Sequence, residues 1–191
     1  MQTNEPSEIG GAAAGIIKQR RTPHEFSEEK IPDKFVEYAV ELARWAPNHR
    51  LSQPWRFYLL GEDAKSKISR TNYDLVLSKK GSRAADVKLK KWLAVPGWFV
   101  LTSRKSSDPI LERENYAACC CAAQNVMLAL WEVGIGVKWT TGEVTRHSGF
   151  CEIVGFDPTV EEVVGMFWYG KPTRITEQRR RPVADFLSRV P

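Results

Sequence analysis

The chain lacks the features that mark several large classes of protein. No apolar run approaches the roughly 20 residues of a membrane span. The polar start from Met1 to Gly11 has no basic stretch followed by an apolar one, so it does not read as a secretory leader. A soluble, cytoplasmic protein is expected. Cysteine is scarce, at four residues, with no C-x-x-C pair. Cys119, Cys120 and Cys121 are consecutive, and neighbours on a helix point about 100° apart, so these thiols cannot converge on one metal. Buried small residues in a reducing compartment account for them. The three histidines lie far apart and lack metal-ligand spacing. There is no G-x-S-x-G elbow for a serine hydrolase. Gly61-Glu62-Asp63, after the first β-rich run, is not the G-x-G-x-x-G of a Rossmann dinucleotide site.

What is present is an ordinary folded composition. With 191 residues, 42% of them hydrophobic and 27% charged, the chain is long enough to bury one core and too short for two comfortable domains. One domain over residues 1–191 is expected, with 1–11 as a flexible lead-in. The formal charge is +5. Its basic residues are scattered, apart from Arg179-Arg180-Arg181 and the stretch Lys88, Lys90 and Lys91, and no nucleic-acid motif accompanies them. An anionic small ligand suits this charge as well as a polyanion does.

Hydrophobic periodicity and turn residues divide the chain into alternating helices and strands. Ala12 to Arg20 reads as a first helix, ended by Thr22-Pro23 because proline disfavours helical geometry in the residue before it. The spacing of Phe35, Val36, Ala39, Val40, Leu42 and Ala43 predicts a helix from Pro32 to Ala46. Trp55 to Leu60 reads as a strand, Glu62 to Leu93 as helix interrupted at Gly81, and Trp98 to Ser103 as a buried strand. The strongest helix signal, apolar nearly all round, runs from Pro109 to Val133 and predicts a central core helix. Strands are expected at Val137 to Thr141 and Val163 to Tyr169, with helices at His147 to Val154 and Val183 to Val190. Strands separated by helices, without the short hairpins of an all-β protein, imply a layered mixed domain.

Four segments stand out in this frame: Arg20-Arg21-Thr22, Ala46-Pro47-Asn48-His49 with Gln53-Pro54-Trp55, Trp139-Thr140-Thr141-Gly142, and Gly170-Lys171-Pro172. In that order and spacing they resemble the FMN-dependent nitroreductase family, over about Ile16 to Leu187, in its small branch with A-P-[DN]-H followed by Q-P-W. The resemblance implies an α+β, three-layer α/β/α fold with a central mixed, mainly antiparallel sheet flanked by helices. It also implies a homodimer with two FMN sites in its interface, each built from both chains.

Residue by residue, the resemblance gives Arg20, Arg21 and Thr22 the flavin phosphate, ribityl chain and ring edge. Guanidinium groups suit phosphate and a hydroxyl suits a ribityl oxygen, although a basic helix end complementing the helix dipole is the alternative. His24 stands where the family usually carries another arginine. His49 resembles a histidine that touches the flavin, and Trp45 stands at a position that contacts the partner's flavin. Trp139, Thr140 and Thr141 resemble the segment passing along the ring. A cationic phosphate ligand follows the last strand in the family; Lys171, Arg174, Arg179 and Arg181 are its candidates, with Arg181 favoured because Pro182 restricts its backbone. Gln53-Pro54-Trp55 reads as scaffold.

The implied activity is oxidoreduction: NADH or NADPH reduces FMN, and a small-molecule electron acceptor, such as a nitroaromatic, a quinone or another flat conjugated molecule, then takes the electrons. The flavin carries this chemistry and no catalytic acid is named. Dehalogenation, enoate reduction or flavin fragmentation on the same scaffold is the alternative. A basic nucleic-acid module is a more distant one.

Overall fold

A computed structural model describes residues 11–191. Of the expected flexible lead-in, 1–11, residues 1–10 lie outside the described residues and Gly11 precedes the first helix. Six α-helices and four β-strands follow among them: α1 (Ala12–Gln19), α2 (Asp33–Ala43), β1 (Trp55–Leu60), α3 (Glu62–Lys80), α4 (Ser82–Leu93), β2 (Gly97–Arg104), α5 (Pro109–Glu132), β3 (Gly136–Thr140), α6 (Phe150–Val154) and β4 (Glu161–Gly170).

Local chemistry sets the ends of these elements. Helix α5 starts where the Asp108 carboxylate accepts a hydrogen bond from the Ile110 N–H, with Pro109 at the first helical position. Gly81, at φ 79°, separates α3 from α4, a geometry that costs glycine nothing. Helix α2 ends at Ala43 rather than at Ala46. Its last turn tightens, with Trp45 N–H bonding to Leu42 O and Ala46 N–H to Ala43 O. Helix α6 starts at Phe150 rather than His147, since His147 turns its Nδ1 to the Gly149 N–H. Over Val183–Val190 only the turn Val183–Asp185 is helical. Val183, Phe186, Leu187 and Val190 are all exposed, so this segment has no surface in its own chain on which to bury an apolar face.

The strands form one sheet in the order β1-β2-β4-β3, with every pairing antiparallel. The sheet expected as mixed thus has no parallel pair among the described residues. Strands β2 and β4 occupy the centre and are covered on both faces, which is why they read as continuous apolar runs. On one face, Phe99, Leu101, Val137, Val164, Phe167 and Tyr169 meet apolar residues of α2 and α5. On the other, Trp98, Val100, Met166 and Trp168 meet Ile68 of α3, Trp92 of α4 and Phe150 of α6. The result is the expected three-layer arrangement. A bulge in β4, where Leu101 opposes Gly165 and Thr102 opposes Val163, leaves Val164 unpaired. It puts Val164 on the α5 face together with Phe167 and Tyr169.

One long-range link has no counterpart in the sequence pattern. Phe26 bridges to Pro172, Ser27 N–H bonds to Lys171 O at 2.9 Å, and Thr173 N–H bonds to Glu25 O at 3.2 Å. The segment after α1 is thereby strapped to the segment after β4. Gly136 sits under this strap, where a Cβ would come within 2.6 Å of Pro23 and 2.8 Å of Pro172.

Candidate functional site

At the exit of α1 the backbone turns extended at Arg20, and the two arginines divide their roles. Arg21 donates from Nη1 to Lys18 O at 2.6 Å and to Arg20 O at 3.0 Å, so it closes the helix end. Arg20 instead reaches Thr22, with Nη1 3.4 Å from Oγ1. Burial, then Arg180, then Arg21 pull the Arg20 guanidinium below its usual range. Among the described residues none of these three arginines has a carboxylate in ion-pair reach. Confining like charges in a half-buried place is unfavourable until an anion compensates them.

Arg180 was not among the residues singled out after the last strand. Of those that were, Lys171 is paired with Glu29 at 2.7 Å, and Arg181 lies over the Phe186 ring at 4.5 Å. The strap between residues 25–27 and 171–173 starts the C-terminal basic loop beside α1, and Arg180 comes close enough to Arg20 for their charges to repel, while its guanidinium bonds to Gln178 Oε1 at 3.0 Å.

Strand β3 starts against Pro23, next to Thr22, and carries Trp139 and Thr140 towards the sheet's other end, with Thr141 just past it. The Trp139 side chain is committed to the fold. Its indole N–H donates to Val164 O at 3.1 Å, its ring lies 5.1 Å from that of Phe167, and it covers Gly165, where any Cβ would overlap the indole. Thr140 is half-buried and Thr141 exposed. Arg146 donates to Thr141 O at 2.8 Å and fixes the strand exit. Thr141 also borders a cleft of about 480 Å3 whose walls include Arg146, His147, Phe150 and Phe156. Glu161, on its rim, is already engaged by the Tyr58 and Thr102 hydroxyls.

The third group lies on the loop from α2 to β1. Trp45 is 72% exposed and Arg44 lies over its ring at 5.6 Å. Trp45, Pro47, Asn48, Leu51 and Gln53 line a cleft of about 460 Å3. His49 starts a short 3-10 turn, and its Nε2 accepts from Arg50 Nε at 3.2 Å. An accepting Nε2 puts the ring proton of the neutral imidazole on Nδ1. Arg50, Leu51 and Gln53 all have positive φ, at 53°, 51° and 43°, although none is glycine.

These groups do not meet within one chain. Arg20, Arg21 and Thr22 lie beside the start of β3, whereas Trp45 and His49 sit on the loop feeding the start of β1. Those strands are the two edges of the sheet, three strand spacings or about 14 Å apart. The register also puts the starts of β1 and β3 at opposite ends of the sheet.

Comparison with known proteins gives one assignment. Residues 17–171 match the model of the nitroreductase family. The chain is 27% identical over 176 residues to YfhC of Bacillus subtilis, named as an NAD(P)H nitroreductase, covering 89% of this chain and 90% of that one. A nitroreductase-like family protein of Bacillus cereus superposes with a TM-score of 0.81 at 25% identity, covering 100% of this chain and 98% of the other. A nitroreductase of Desulfovibrio desulfuricans, solved in complex with FMN, superposes with a TM-score of 0.75 at 20% identity, covering 96% and 99%.

Proposed function

This chain belongs to the nitroreductase family, and from that premise we propose that it reduces flat conjugated acceptors, such as nitroaromatics and quinones, with electrons from NADH or NADPH. It is an FMN-dependent oxidoreductase. FMN, when bound, supplies the two-electron redox chemistry. The observation that carries this reading is half-buried Arg20 beside Thr22, with the exposed Arg180 close enough to repel it and neither arginine in ion-pair reach of a described carboxylate. Such a donor set fits a phosphate dianion, to which guanidinium groups give charge-assisted hydrogen bonds. The Thr22 hydroxyl is free to serve a ribityl oxygen once Arg20 turns to the phosphate.

Each residue then has a stated task. Arg20 and Arg180 hold the phosphate, and Arg21 pins the exit of α1 so that Arg20 is presented. Thr140 and Thr141 offer backbone and hydroxyl groups along the ring edge, on a strand braced by Trp139. Trp45 and His49 come from a second copy of the chain, because their own copy holds them at the sheet's far corner. The working unit is therefore a homodimer with two shared sites. Their apolar walls admit a flat acceptor after the nicotinamide leaves, and the setting is the cytoplasm, where NAD(P)H is supplied.

The test is an absorbance spectrum of the purified protein before and after NADH or NADPH. Expected are a flavin spectrum, its bleaching by the reductant, and its return on adding a nitroaromatic or a quinone. Return with a halogenated phenol alone would move the assignment to dehalogenation. Colourless protein that takes up no added FMN would overturn it.

A further inference from the structure

The loop between α2 and β1 holds left-handed backbone at three non-glycine residues within four positions, Arg50, Leu51 and Gln53. Residues with side chains persist there only when their surroundings over-determine them. Within the loop, the Asn48 side chain donates to Ala46 O at 3.1 Å and accepts from Gln53 N–H at 2.9 Å. Ser52 N–H closes the turn onto His49 O at 3.2 Å. The remaining restraint comes from outside and converges on Asn115.

Asn115 is 3% exposed, on the face of α5 that otherwise buries Ala118, Cys119 and Ala122. A buried amide is unfavourable in such a place unless both its ends are bonded. Here both are. Its Oδ1 accepts from Ser52 Oγ at 3.0 Å, and its Nδ2 donates to Arg104 O at 3.2 Å. Arg104 closes the circuit: its Nη2 donates to Ser52 O at 3.0 Å and its N–H to Pro54 O at 2.9 Å. One core side chain thus ties the strained loop to the end of the central strand β2. Left-handed Arg50 in turn directs its guanidinium onto His49 Nε2.

We propose that Asn115 is a positioning residue: through Ser52 and Arg104 it holds the α2–β1 loop in its left-handed form, which presents the exposed His49 and, at the cleft, Leu51 to the ligand. The inference rests on the reading that this loop borders the flavin site. It gives a buried polar residue in a helix of small side chains a task distinct from packing.

The experiment compares the wild-type protein with Asn115→Ala, with Ser52→Ala and with Asn115→Ala combined with Gln53→Gly. Ser52→Ala breaks the same tie from the loop side and keeps the test open if the core variant fails to fold. FMN affinity is read by fluorescence titration, and amide exchange is followed at residues 49–53. Losing the tie should weaken FMN binding about tenfold, the scale of one or two hydrogen bonds, and speed exchange in the loop. Glycine at 53 adopts positive φ without cost, so it should restore both readouts in the Asn115→Ala background. A defect in core packing would not be repaired from there. Unchanged loop exchange in Asn115→Ala, or a loss that Gln53→Gly leaves in place, overturns the proposal. Wild-type protein that takes up no FMN refutes the flavin reading alone, and exchange that rises in Asn115→Ala and falls back on adding Gln53→Gly still supports the latch.

Discussion

At the scale of single residues, the phosphate assignment separates side chains that sequence treats alike. Arg179, Arg180 and Arg181 are one basic run, yet Arg180 is the one whose charge acts on Arg20, while Arg181 lies over the Phe186 ring. A charge-assisted hydrogen bond to phosphate contributes about 1.5 to 3 kcal/mol, so Arg20→Ala and Arg180→Ala should each weaken FMN binding roughly 10- to 100-fold. Arg181→Ala should stay within about twofold, since an exposed cation–π contact contributes only about 0.5 to 1 kcal/mol and to a different part of the chain. Titration at fixed ionic strength checks this, and equal losses in Arg180→Ala and Arg181→Ala would sink the assignment. The segments proposed to bear the site were legible because arginine and threonine at a helix exit are chemically pointed. The choice within the late run was not. It depends on how residues 171–173 fold back on 25–27, a pairing between segments about 145 positions apart that no local pattern encodes.

At the scale of elements, strands and helices were readable from periodicity, but the order of the sheet was not. Strands β2 and β4 are apolar on both faces, so neither shows the alternation that would assign its sides. The bulge at Val164 was equally hidden, and it decides what Trp139 does. By turning Val164 towards α5 it offers a carbonyl to the indole N–H, and Gly165 clears the space for the ring. Trp139 therefore braces the strand, and its neighbours Thr140 and Thr141 are the residues proposed to meet the ligand. Gly165→Ala should force the indole away and break that hydrogen bond, costing about 2 to 4 kcal/mol from overpacking plus the lost bond. Gly142→Ala, where the nearest atom to a new Cβ is 3.7 Å away and φ is −58°, should be nearly neutral. Thermal unfolding of both variants decides the point, and equal melting temperatures would show that the bulge does not hold Trp139.

At the scale of the whole molecule, the placement of the site residues makes a statement about assembly. Helix α1 contains no buried residue, and residues 173–191 are exposed throughout. Ile17, Trp45, Leu51, Ile175 and Phe186 present apolar area that a second surface would cover, which stabilises in proportion to the area removed from water. A two-fold axis would also carry the Trp45–His49 corner of one copy to the Arg20–Thr22 corner of the other. Subunit mixing tests this without a structure. One chain carries Arg20→Ala with Arg180→Ala, and the other carries Trp45→Ala with His49→Ala, so each homodimer has two damaged sites. If the sites are shared, a mixed dimer gathers all four substitutions into one site and leaves the other wild type. Random pairing of equal amounts should then restore FMN binding and turnover at about a quarter of the sites, because half the dimers are mixed and each holds one intact site. If every site is built within one chain, mixing restores nothing, and a stable monomer that retains flavin in light scattering would likewise rule out a shared site.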